Sequence, residues 1–172
     1  MKRIIGSVFF LIIVLATITQ VNETHASKNR LVTLQKEQSP YYVINSGHKL
    51  QLELIEGSYS ASELKNKLSK FFTDKFIDDY ILQNYIEYNG KLIFKATDFP
   101  YAFVPDFTFD KNTKKEITNN SRTQLVYQWF DAVQNEPVTH DGVFSYVKLI
   151  KDNDDIWKID DIGNTLSKPI LN

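Results

Sequence analysis

The chain has 172 residues, 42% hydrophobic, 13% aromatic and 24% charged, with a formal net charge of -1. That length suits one full-sized domain rather than two, and the near-neutral balance excludes a strongly basic nucleic-acid binder or a polyacidic tail. Cysteine is absent, which removes thiol nucleophiles, iron-sulfur clusters, cysteine-ligated zinc and every disulfide.

Lys2 and Arg3 precede an apolar run from Ile4 to Ile18, after which polarity rises towards Thr24-His25-Ala26. A charged start, an apolar middle and a small residue at the end form the pattern of a secretory signal peptide, with cleavage expected after Ala26. An uncleaved membrane anchor is the alternative, but about 15 apolar residues fall short of the roughly 20 that span hydrocarbon. Without cysteine, no lipid can be attached through one, and no membrane span is expected in the mature chain. Removing residues 1–26 leaves 146 residues with a net charge of -2. A domain of that size buries about two-thirds of the surface its unfolded chain exposes, so it does not depend on disulfides. Together with an abundance of Lys, Asn and Ile typical of low-GC coding, this places the expected product outside a Gram-positive cell.

Residues 27–39 are polar and read as a flexible leader, and residues 40–172 as a single domain. From Tyr41 to Ile55 two periods compete. Val43, Gly47, Leu50 and Leu54 suit a helix face, whereas Leu50, Leu52 and Leu54 alternate like a strand; the helix is preferred. Ser60-Ala61-Ser62-Glu63 is a capping box, opening a helix with Leu64, Leu68 and Phe71 or Phe72 on one stripe. Thr73-Asp74 starts another, in which Phe76, Ile77, Tyr80, Ile81 and Tyr85 recur at helical spacing, so that a helix-turn-helix pair is expected over about residues 60–86.

Asn89-Gly90 predicts a tight hairpin joining Ile86–Tyr88 to Lys91–Phe94, because a type I′ turn needs positive φ at both central positions. Tyr101, Phe103, Pro105, Phe107 and Phe109 alternate, predicting an extended strand with its aromatic face buried. Residues 122–130 are apolar on both faces, as a central strand would be. Val143–Ile150 and Ile156–Ile162, separated by the polar Lys151–Asp155, predict a C-terminal β-hairpin. The fold class expected is α+β, with N-terminal helices packed on a curved antiparallel sheet that ends in this hairpin.

Few constellations could carry chemistry. The mature chain holds only His48 and His140 as histidines, with no ligand spacing for zinc. Asp152-Asn153-Asp154 starts like a calcium loop, but Trp157 stands where the turn glycine is needed. No Gly-x-Ser-x-Gly elbow and no phosphate-binding glycine loop is present, so neither cofactor nor metal is expected. The aromatic segment rises above this background, with Asp98, Tyr101, Phe103, Asp106 and Phe107 as a candidate groove for cell-wall glycan or an envelope protein. Paired carboxylates drawn from Asp98, Asp106, Asp110 and Asp131 give the alternative of a small secreted hydrolase. A further alternative is a cone-shaped domain with a small-ligand pocket lined by Tyr127, Trp129 and Tyr146.

Asp98-Phe99, Tyr101, Pro105, Phe107 and Phe109, followed by Glu136-Pro137, Tyr146, Leu149 and Trp157-Lys158-Ile159, resemble an uncharacterised family of exported proteins of Gram-positive bacteria. The upstream stretch Leu68–Ile77 is similar too, so the resemblance spans residues 60–162. It implies an exported α+β domain of unknown function and no particular activity. The order of elements is also similar to cones of the nuclear-transport-factor-2 type, folds that host enzymes, binding pockets and inert spacers alike.

Overall fold

The computed structural model describes residues 39–95, 101–117, 121–132 and 141–171. The expected signal segment, its cleavage point after Ala26, the leader up to residue 38, Asp98 with Phe99 and Pro100, and His140 lie outside the described residues.

Helix α1 (Pro40–Ile55) starts where Ser39 accepts a hydrogen bond from the Tyr42 amide at 3.1 Å, and Pro40 occupies a first-turn position that needs no donor. The helical period prevails because Leu50 and Leu54 are buried while Leu52 is 50% exposed. Helix α2 (Ala61–Leu68) follows a short strand β1 (Ser58–Tyr59) and carries the complete capping box. The Glu63 amide donates to Ser60 Oγ at 3.2 Å, and the Ser60 amide donates to Glu63 Oε2 at 2.8 Å. The Ser60 amide, and then the Ser60 hydroxyl donating to the same Oε2 at 2.8 Å, hold the Glu63 carboxyl below its ordinary pKa.

Helix α2 ends at Leu68, so Phe72 does not continue its stripe. Phe72 instead bridges to Ile159, where the Thr73 amide donates to the Ile159 carbonyl at 2.9 Å and the Ile159 amide donates to the Phe71 carbonyl at 2.8 Å. Backbone pairing wins there because it docks the helical layer onto a sheet edge that would otherwise be unpaired. Thr73 then caps helix α3 (Asp74–Asn84), accepting from the Phe76 amide at 3.3 Å. Phe72, Phe76 and Tyr80 stack in succession, with ring centroids 4.9 and 5.8 Å apart.

The strands divide into two sheets. In the smaller, β2 (Tyr85–Tyr88) and β3 (Lys91–Phe94) form the hairpin expected at Asn89-Gly90, whose φ angles are 51° and 74°, and β1 adds to the other side of β3. The larger sheet is antiparallel, in the order β4 (Lys114–Ile117), β5 (Thr123–Phe130), β6 (Val143–Lys151), β7 (Trp157–Thr165). Its β6–β7 hairpin is the predicted C-terminal one. Asp152 shapes the turn by accepting from the Asp154 and Ile156 amides at 3.0 and 2.9 Å. A bulge at Asp160 breaks the register between Lys148 and Leu149.

Val126, Val147, Leu149 and Ile159 line one face of the large sheet and join Val43, Ile44, Leu54, Leu64, Leu68, Phe72, Phe76, Ile77 and Tyr80 of the helical layer in a single core. The fold is therefore α+β, with helices against the sheet and a terminal hairpin.

The strand expected across Tyr101–Phe109 does not form. Residues 103–109 carry no strand, Ala102 and Phe109 have φ of 49° and 53°, and Val104 is buried alongside Phe107 while Tyr101 is exposed. Side chains satisfy this backbone in place of a neighbouring strand. Gln51 Nε2 donates to the Ala102 carbonyl at 3.2 Å and Gln51 Oε1 accepts from the Val104 amide at 2.8 Å. Asn84 does the same at Tyr101, accepting from its amide at 2.8 Å and donating to its carbonyl at 3.0 Å.

Candidate functional site

Each residue of the sequence-predicted groove that is described has its own surroundings. Tyr101 and Asp106 are exposed. Phe103 is half-buried with its ring edge to His48, at 5.8 Å between centroids. Phe107 is buried in the core, stacked on Phe130 at 6.3 Å and edge-on to Phe109 at 6.0 Å. Asp110 is held below its ordinary pKa, chiefly by the Asn112 amide, the opposite of what an acid catalyst needs. Asp131 accepts from the Trp129 indole at 2.9 Å. Among the described residues no cluster of three His, Asp or Glu side chains converges as a metal would require.

A more coherent arrangement lies on the other face of the large sheet. Directly opposed residues of antiparallel strands share a face, and Tyr127 opposes Tyr146 while Trp129 opposes Phe144. Since Val126 and Val147 oppose each other in the core, the four aromatics point away from the helices. Tyr127 and Trp129 both meet Phe144 edge-on, with centroids 6.0 and 4.9 Å apart, and Trp129 is 43% exposed. The three residues expected to line a small-ligand pocket are thus together on the outer side of the sheet.

Next to this row, Tyr146 is the partner of Gly163 across β6 and β7. A Cβ at Gly163 would stand 2.6 Å from the Tyr146 hydroxyl and 2.8 Å from Cζ, so the bare glycine lets the ring lie on the neighbouring strand. That position brings the phenol to Asp161, to which it donates at 3.2 Å. Burial, then the Asp161 charge, pushes the Tyr146 phenol above its ordinary pKa. Tyr101, the exposed aromatic of the predicted groove, is near enough to add to that shift. The phenol thus stands as a hydrogen-bond donor to Asp161.

Tyr146, Leu125, Lys148, Asp161 and Thr165 form the floor of an open cavity of about 380 Å³ whose other wall is Pro169, Ile170 and Leu171. Lys148 is paired with Asp160 at 3.3 Å. The cavity thus combines one aromatic ring, its phenol–carboxylate hydrogen bond and the Lys148 ammonium, groups that can bind polar, hydroxyl-rich molecules.

Sequence reading placed Tyr127, Trp129 and Tyr146 together but missed Phe144, Lys148 and Asp161. The available signal was the alternation of Phe144, Tyr146 and Lys148 against Ser145, Val147 and Leu149 in β6. The pairing register that brings Asp161 beside Tyr146 depends on the bulge, which has no sequence marker here.

Comparison with known proteins gives a family and no activity. No curated protein and no solved structure matches the chain. Residues 35–130, more than half of the chain and extending from before α1 to the end of β5, match the model of a family described as a protein of unknown function, DUF3993, and the chain belongs to that family.

Proposed function

We propose that the protein is an exported, non-catalytic binding domain of the cell envelope, and that it engages wall glycan through the outer face of the four-stranded sheet. The observation carrying this reading is the row Tyr127, Trp129, Phe144 and Tyr146 beside the Tyr146–Asp161 hydrogen bond. Sugar rings present C–H faces that pack on aromatic rings, and their hydroxyls need donors and acceptors placed alongside. Aromatic side chains supply large, rigid contact area at small entropic cost, and their polar tips remain available for hydrogen bonding. Export rests on the sequence pattern of residues 2–26, and a domain without cysteine suits a compartment where disulfides are not relied on.

Co-sedimentation of the protein with purified peptidoglycan, followed by titration of tryptophan fluorescence with soluble wall fragments, tests the reading. Retention that falls at least tenfold in Trp129→Ala supports it, and failure of the intact protein to bind wall material overturns it. Cell fractionation tests the address. A product shortened at Ala26 and found outside the membrane is expected, and a full-length chain confined to the cytoplasm refutes export.

A further inference from the structure

We infer that residues 166–171 form a strap across the outer face of the large sheet, and that a ligand reaches this face only when the strap is released. The inference rests on the reading of that face as a binding surface and adds its regulation.

After β7 the chain crosses back over β5 towards β4. Lys168 Nζ lies 2.8 Å from Glu116 Oε1 and 5.6 Å from the centre of the Tyr127 ring. Pro169, Ile170 and Leu171 continue the crossing and close one wall of the cavity over Leu125 and Tyr146. The strap therefore occupies the place a ligand would take. Its cation sits over one of the four aromatic rings, and its apolar residues roof the cavity beside another.

The attachment is suited to opening. Leu166 and Ile170 are 73% and 75% exposed, so the apolar hold on the segment is confined to the half-buried Pro169 and Leu171. The main polar tie is the Lys168–Glu116 pair, with side chains 60% and 32% exposed. Such ion pairs are weak and screened by salt. A cation over a tyrosine face adds to the tie, and a stacking sugar would compete for that same ring. A ligand that binds only the open form shifts the population towards it, and its apparent affinity is reduced by the fraction of molecules that are open.

The test uses Lys168→Glu, which places two like charges together, and the exchanged pair Glu116→Lys with Lys168→Glu, which restores attraction. Hydrogen exchange of residues 166–171 without ligand reports the strap alone, and binding to purified peptidoglycan reports the gate. Lys168→Glu is expected to abolish protection of the segment and strengthen wall binding at least fivefold, with both effects reversed in the exchanged pair. Unchanged exchange in Lys168→Glu overturns the strap. A released segment with wild-type affinity overturns the gate while leaving the binding face standing. Absence of wall binding in the wild type and the released variant alike is the failure of the binding face itself, and it removes the gate with it.

Discussion

The side-chain amide of Gln51 pairs with the backbone at Val104 as a neighbouring strand would, its Oε1 accepting from the Val104 amide at 2.8 Å. Gln51 is fully buried, so no water replaces it when it is removed. Gln51→Leu keeps the volume but leaves the Val104 amide and the Ala102 carbonyl without this partner. An unsatisfied buried group costs roughly 1–3 kcal/mol, and the variant should lose about 2–4 kcal/mol in urea unfolding. A loss under about 0.5 kcal/mol would show that the loop finds other partners.

Tyr80 and Tyr85 present the reverse case. Both are buried in the core, and neither hydroxyl has a hydrogen-bond partner among the described residues. Burial pushes the Tyr85 phenol up to about 12 and the Tyr80 phenol higher still. A raised folded-state pKa means the folded chain holds protons that the unfolded chain releases above pH 10, so stability is complete below that value and falls as pH rises towards 12. Thermal unfolding between pH 9 and about 11.5 should show this decline, flattened in the double variant Tyr80→Phe, Tyr85→Phe. The same variant should be as stable as wild type at pH 7, or more so, because it removes two desolvated hydroxyls. An undiminished alkaline decline would assign it to the lysines instead.

Most of the elements were legible because their signals are local. Ser60 with Glu63, Thr73 before Phe76, and Asn89 with Gly90 each specify backbone geometry within four residues. The segment from Tyr101 to Phe109 misled because alternation is also satisfied by an irregular stretch whose backbone is held by distant amides. Gln51 and Asn84 lie 53 and 17 residues from the groups they bind at Val104 and Tyr101, and a polar residue on an apolar helix face does not say what it will face. The binding face was half legible for the same reason. Strand alternation groups Tyr127 with Trp129, while Asp161 beside Tyr146 follows from pairing across the sheet and Lys168 over Tyr127 from the return of the chain after β7.

Asp160 shows what the bulge in β7 achieves. The extra residue presents its carboxylate to Lys148 Nζ at 3.3 Å and to Thr73 Oγ1 at 3.2 Å, and Thr73 is the cap of α3. One side chain thereby links the sheet to the start of a helix. Asp160→Ala should cost about 1–2 kcal/mol and increase exchange of the first-turn amides of α3. Asp160→Asn retains an acceptor for Thr73 and should recover part of that loss. If both variants match wild type in urea unfolding, the link is not stabilising.

Gly163 is the position on which the geometry of the binding face depends most directly. A side chain there would meet the Tyr146 ring, with 2.6 Å from a Cβ to the hydroxyl, so Gly163→Val must lift the ring off β7 and separate the phenol from Asp161. Overpacking of this kind typically costs about 1–3 kcal/mol, less here because an outer-face ring can move into solvent. Binding should suffer more than stability. A fall of at least fivefold in affinity for wall fragments is expected, with Tyr146→Phe showing a smaller fall because the ring stays in place. A double-mutant cycle isolates the contact: combined with Tyr146→Ala, Gly163→Val should destabilise by about 1 kcal/mol less than the two single effects together. Strict additivity would place the Tyr146 ring elsewhere and remove the glycine from the site.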